Sequence, residues 1–131
     1  MSRYALLFGS APENFRQKKL SDMHDFLISE KGGNWKEKEI IEFPNGLNDL
    51  MFSFTLNSLH EREYDNVLIY ICTQKPVQEC DESIWLGGEE IRKEHISFFE
   101  SNRGTTSVQV IYASCCDFIS DESLGYEKVS E

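Results

Sequence analysis

Two kinds of apolar spacing alternate along the chain. The run YALLFGS (4–10) is continuously apolar and ends in glycine, the pattern of a strand buried on both faces. From Leu20, the positions Leu20, Met23, Phe26, Leu27 and Ile28 recur at helical spacing, and Lys31-Gly32-Gly33 supplies a glycine stop. KEIIEF (38–43) predicts a second strand, closed by the turn Pro44-Asn45-Gly46. Leu47, Leu50, Met51, Phe54 and Leu59 then mark a second helix, and of the pair Phe52 and Phe54, at least Phe54 is expected in the core. YDNVLIYIC (64–72) is the strongest strand in the chain. A polar segment, TQKPVQECDES (73–83), leads through Ile84, Trp85 and Leu86 to Gly87-Gly88. In LGGEE (86–90), the carboxylates following the glycines read as a first helical turn complementing the dipole. Ile91, His95, Phe98 and Phe99 carry that third helix to SNRG (101–104), and SVQVIYAS (107–114) is a fourth strand.

Strands that alternate with helices pair in parallel, because each crossover helix returns the chain to the same end of the sheet. Right-handed crossovers then place helices on both faces. The expected fold is α/β, a three-layer sandwich around a mainly parallel sheet of about four strands. In such sheets chemistry collects at the carboxyl ends of the strands. Cys72, Thr73 and Gln74 follow the third strand there, and Ser114, Cys115, Cys116 and Asp117 end the fourth.

A chain of 131 residues is the size of one domain, here with a core at 4–118 and an acidic tail at 119–131. A net charge of −10 argues against nucleic acid, whose phosphates need clustered Lys and Arg. The one basic cluster, RQKK (16–19), reads as a solvated first helical turn. No apolar run reaches the ~20 residues that span a bilayer, and the N-terminus lacks the long apolar region of a signal peptide, so a cytoplasmic protein without membrane association is expected. In a reducing compartment the four cysteines are expected as free thiols. Their spacing does not fit a structural zinc site, and the acidic ECDES (79–83) lacks the regular ligand spacing of a calcium loop, so neither a metal nor another cofactor is expected.

The order of these elements, and the local motifs ALLFGS, LSDMHDFLISEKG, NGLNDLMFSFTLNSLHEREYDNVLIYI and VQVIYASCCDF, resemble the caspase and metacaspase superfamily of cysteine peptidases over residues 4–118. The resemblance implies a caspase-like sheet in which Cys115 takes the nucleophile's place after the small Ser114, with Cys116 in the variable position beyond. The family's mechanism needs a thiolate made by a histidine base, which sits in a Gly-His-Gly turn directly after the third strand. Here the chain reads IYICTQKP, with neither histidine nor glycine. Thr73, Gln74 and Lys75 cannot shuttle a proton at neutral pH as an imidazole does. His24, His60 and His95 lie on or near the three helices, where structural roles are expected for them.

From Gly104 to Glu127 no cation occurs, while Asp117, Asp121 and Glu122 are close in sequence, a setting that keeps Cys115 protonated unless the fold brings a Lys or Arg to it. Sixteen residues follow Cys115, too few for the family's two further strands, so a fold truncated after the nucleophile strand is expected.

Three readings follow. The first is a degenerate caspase-like domain that acts by binding a protein partner, either a related peptidase or a second copy. The second is an active peptidase whose base comes from elsewhere. The third is a small α/β module in which Cys115 and Cys116 serve redox sensing or bind a small ligand.

Overall fold

The computed structural model describes residues 2–12, 14–59, 64–73, 75–114 and 118–120. Four parallel strands form the sheet: β1 (Arg3–Phe8), β3 (Ile40–Phe43), β4 (Asn66–Thr73) and β7 (Ser107–Ser114). Their order is β3-β1-β4-β7, with Ala5 beside Ile40 on one side and Leu68 on the other, and Thr73 beside Ser114 at the far end.

The crossover rule explains this order together with the placement of the helices. The chain moves one way from β1 to β3 through α1 (Lys18–Ile28), then back across β1 to β4 through α2 (Asp49–Ser58). It continues the same way to β7 through α3 (Glu94–Ser101). With right-handed connections, a reversal of direction puts α1 on one face and α2 with α3 on the other. Two cores result. Leu20 and Leu27 of α1, seven residues apart, pack on Ala5, Leu7, Leu68, Tyr70 and Cys72. Phe52 and Leu56 of α2, with Ile96 and Phe99 of α3, pack on Leu6, Phe8, Ile69 and Ile71. Alternate residues of β1 and β4 therefore serve opposite cores, and that is why these strands are apolar without interruption.

The structure corrects several expectations. LGGEE does not begin a helix: β5 (Ser83–Leu86) and β6 (Glu89–Arg92) form an antiparallel hairpin, and Glu89 and Glu90 are strand residues. Gly87 and Gly88 have φ of 61° and 90°, as a tight two-residue hairpin turn requires. Ile91 is buried in β6, and α3 starts three residues later. RQKK divides: Arg16 and Gln17 belong to β2 (Phe15–Gln17), where Gln17 has no exposed surface, while Lys18 and Lys19 form the expected start of α1. β2 pairs antiparallel with β8 (Phe118–Ser120), so Ile119 and Ser120 belong to a strand and not to a tail. Residues 38 and 39 lie in a 3-10 turn (Glu37–Glu39) ahead of β3. Phe54 is 68% exposed, while Phe52 is the fully buried one. No helix is long and apolar enough to cross a membrane among the described residues.

Candidate functional site at the carboxyl edge of the sheet

The direction of the connections reverses between β1 and β4, the point in an open α/β sheet where loops leave the strand ends in opposite directions. Gly9 and Ser10 leave β1 at this point. The Gly9 N–H donates to the Phe43 carbonyl at 2.9 Å, and a Cβ on Gly9 would stand 2.7 Å from the Pro44 oxygen, so the loop passes too close for any side chain there. Ser10 is buried. Its Oγ donates to the Cys72 carbonyl at 3.0 Å and lies 3.5 Å from the Trp85 carbonyl, while its N–H donates to Gln17 Oε1 at 2.8 Å. Ser10 and Gln17 thus join the ends of β1, β2, β4 and the hairpin.

β4 arrives beside them with Cys72 and Thr73, both buried. The Cys72 thiol lies with the core on the α1 face, and its carbonyl is the group that meets Ser10. The Thr73 hydroxyl is shared between the Lys75 carbonyl and the Ala113 carbonyl, the latter at 3.3 Å, which ties the end of β4 to β7. Ser114 closes β7, and its carbonyl accepts from Lys19 Nζ at 2.7 Å. A cation therefore stands one residue before Cys115, although residues 104–127 supply none. Gln74, Cys115, Cys116 and Asp117 lie outside the described residues, as does His60. A cleft of about 530 Å³ adjoins Thr73, lined among others by Lys75, Val77, Asp81 and the half-exposed Trp85.

The two described histidines are held by carboxylates. His24 Nε2 lies 2.7 Å from Glu37 and its Nδ1 2.5 Å from Glu42, so this ring fastens α1 to β3. His95 Nε2 lies 3.0 Å from Asp49, at the start of α2. Burial alone would raise the Asp49 carboxyl, but the Arg92 backbone N–H, the His95 ring and the Arg92 guanidinium outweigh it and hold the pKa at about 2. The cluster ties α2, β6 and α3 together. Asp81, in the acidic segment ECDES (79–83), uses Oδ2 to accept the Gln78 N–H at 2.8 Å and closes a turn. Among the described residues no three His, Cys, Asp or Glu side chains are grouped to hold a metal, and Cys72 and Cys80 form no disulfide.

Sequence reasoning located the strand ends, Cys72, Thr73 and Ser114, and missed Ser10, Gln17 and Lys19. Of these, only Ser10 carried a signal, as the polar residue after a strand that ends in glycine. The fold and this edge define an α/β protein with a four-stranded parallel sheet and helices on both faces. Comparison with protein-family models, curated proteins and solved structures gives no match.

Proposed function

We propose that the chain is a caspase-like domain that has lost peptidase chemistry and works by binding a protein partner. The observation that carries this reading is the sequence at the end of β4. The resemblance calls for a Gly-His-Gly turn there, and the residues are Thr73, Gln74 and Lys75. A thiol needs a neighbouring base to become a nucleophile, and none of these three supplies one at neutral pH. Two further features are in keeping with this. His24 and His95 are bound to carboxylates in contacts that join secondary elements, and the Ser10 and Thr73 hydroxyls are spent on backbone carbonyls.

The expected result with a peptide substrate mixture and an electrophilic peptide probe is no cleavage and no Cys115-dependent labelling. Cleavage that disappears in Cys115→Ala would overturn the reading.

Lys19 favours a second one. An ammonium bonded to the Ser114 carbonyl is the kind of cation that lowers a nearby thiol pKa. On that reading Cys115 is a working nucleophile, and Lys19→Met slows its labelling by the probe at pH 7.

A further inference from the structure

We propose that Asn45-Gly46 is a site of spontaneous deamidation that the fold holds shut, so that a chain which has left its folded state is marked there as aspartate or isoaspartate. The inference goes beyond the partner-binding reading and stands independently of it. Of the chain's asparagines, only Asn45 precedes a glycine. With no side chain on the following residue, nothing hinders the backbone nitrogen from attacking the asparagine amide. The Gly46 nitrogen bonds to Asn45 Cγ and gives up its proton, the Cγ–Nδ2 bond breaks, and ammonia leaves. Solvent water then opens the cyclic imide at either carbonyl. The net change is amide plus water to carboxylic acid plus ammonia.

The fold requires both halves of this labile pair. Gly46 has φ of 84°, a left-handed conformation, and a Cβ there would stand 2.9 Å from the Leu86 carbonyl oxygen. Asn45 supplies a donor: its Nδ2 donates to the carbonyls of Ala11 at 3.1 Å, Pro12 at 2.6 Å and Phe15 at 2.9 Å. Three acceptors share two hydrogens, and an ionised aspartate of the same size can donate to none of them. Asn45 thus fastens the loop before β2 to the turn after β3. The strand held this way carries Gln17, which in turn holds the Ser10 N–H.

The same contacts block the reaction. Asn45 is exposed, so burial does not keep water from it. Bonding does the work instead. The leaving nitrogen is held by three carbonyls, and the attacking Gly46 N–H donates to the Phe43 carbonyl at 3.4 Å. On its other side the turn lies against the hairpin, where a Cβ on Gly87 would come within 2.9 Å of the Asn45 carbonyl oxygen. Attack on Cγ therefore waits for the turn or the loop at 11–15 to open. After conversion the lock no longer closes: a carboxylate at position 45 faces three carbonyl oxygens with no hydrogen to offer, and isoaspartate also lengthens the backbone by one carbon.

Incubating the unmodified chain at mildly alkaline pH, folded and in guanidinium chloride, tests this when its peptides are mapped by mass spectrometry. Conversion adds about 1 Da at the affected residue. The expected result is conversion at Asn45 roughly tenfold or more slower in the folded chain than in the unfolded one. Equal rates in the two states overturn the proposal, as does an unfolded chain in which Asn45 fails to convert ahead of the other asparagines. Asn45→Asp reproduces the aspartate product. Its amides at residues 15–17 should exchange hydrogen faster than the parent's, and exchange equal to the parent's overturns the proposal. If that variant does not fold, chains aged in guanidinium chloride and returned to native buffer give the second readout. Unconverted chains should regain the native exchange pattern and converted ones should not, and a converted fraction that refolds like the rest overturns the proposal.

Discussion

A glutamine without exposed surface has to be hydrogen-bonded, and Gln17 meets that demand by accepting the buried Ser10 N–H. Gln17→Ala should cost about 1–3 kcal/mol from the orphaned donor alone, before any cavity is counted, and urea unfolding would measure it. None of this is visible in RQKK, which looks like a basic, solvated stretch. The glutamine is buried because β2 pairs with a strand a hundred residues further on, and no local pattern announces such a partner. Asp49 is the second residue whose surroundings set a measurable property. Its carboxyl falls from the ordinary 3.8 to about 2 in the folded chain. A carboxyl with a depressed folded pKa adds stability above its unfolded pKa and loses it as pH falls through the folded value. Asp49→Asn should therefore lower stability at neutral pH and, relative to the parent chain, flatten the fall in unfolding free energy between about pH 4 and pH 2.

At the scale of elements, the four sheet strands and three helices follow from apolar spacing, and the errors have identifiable causes. Gly87-Gly88 between Ile-Trp-Leu and Glu-Glu-Ile fits a hairpin as well as a helix start. The carboxylates tilted the reading toward a helix dipole, while positive φ at both glycines decides for the turn. The same geometry separates two substitutions. A Cβ on Gly88 meets nothing within 4 Å, so Gly88→Ala should cost only the left-handed backbone penalty of about 1–2 kcal/mol. A Cβ on Gly87 would come within 2.9 Å of the Asn45 oxygen, so Gly87→Ala should cost more, and thermal melts of the pair would show the order. In α2 the fault lay in the pattern itself. Leu50, Met51, Phe52 and Phe54 make the helix apolar nearly all round, and spacing alone does not say which side faces the sheet. Phe52 won because it lies on one stripe with Leu56 and Leu59, against Phe8.

At the scale of the whole molecule, the three-layer arrangement was legible because crossover handedness leaves few alternatives once the strands are known. The strand ends Cys72, Thr73 and Ser114 were legible for the same reason. What fills the space between them was not, since Ser10 and Lys19 reach it only through tertiary contacts. The sheet order has a further bearing on how the chain comes into being. β1 leaves the ribosome first, yet Ala5 must wait for Ile40 on one flank and Leu68 on the other. The four buried residues of this strand are thus made well before the strand that closes their second side, so a nascent chain carries an incompletely partnered Ala5-Leu6-Leu7-Phe8 until β4 has emerged. Distant pairing of this kind slows folding and lengthens the interval in which chaperones are needed. A codon slowdown placed after β4 has emerged would shelter this strand, whereas one placed before it would prolong the risk.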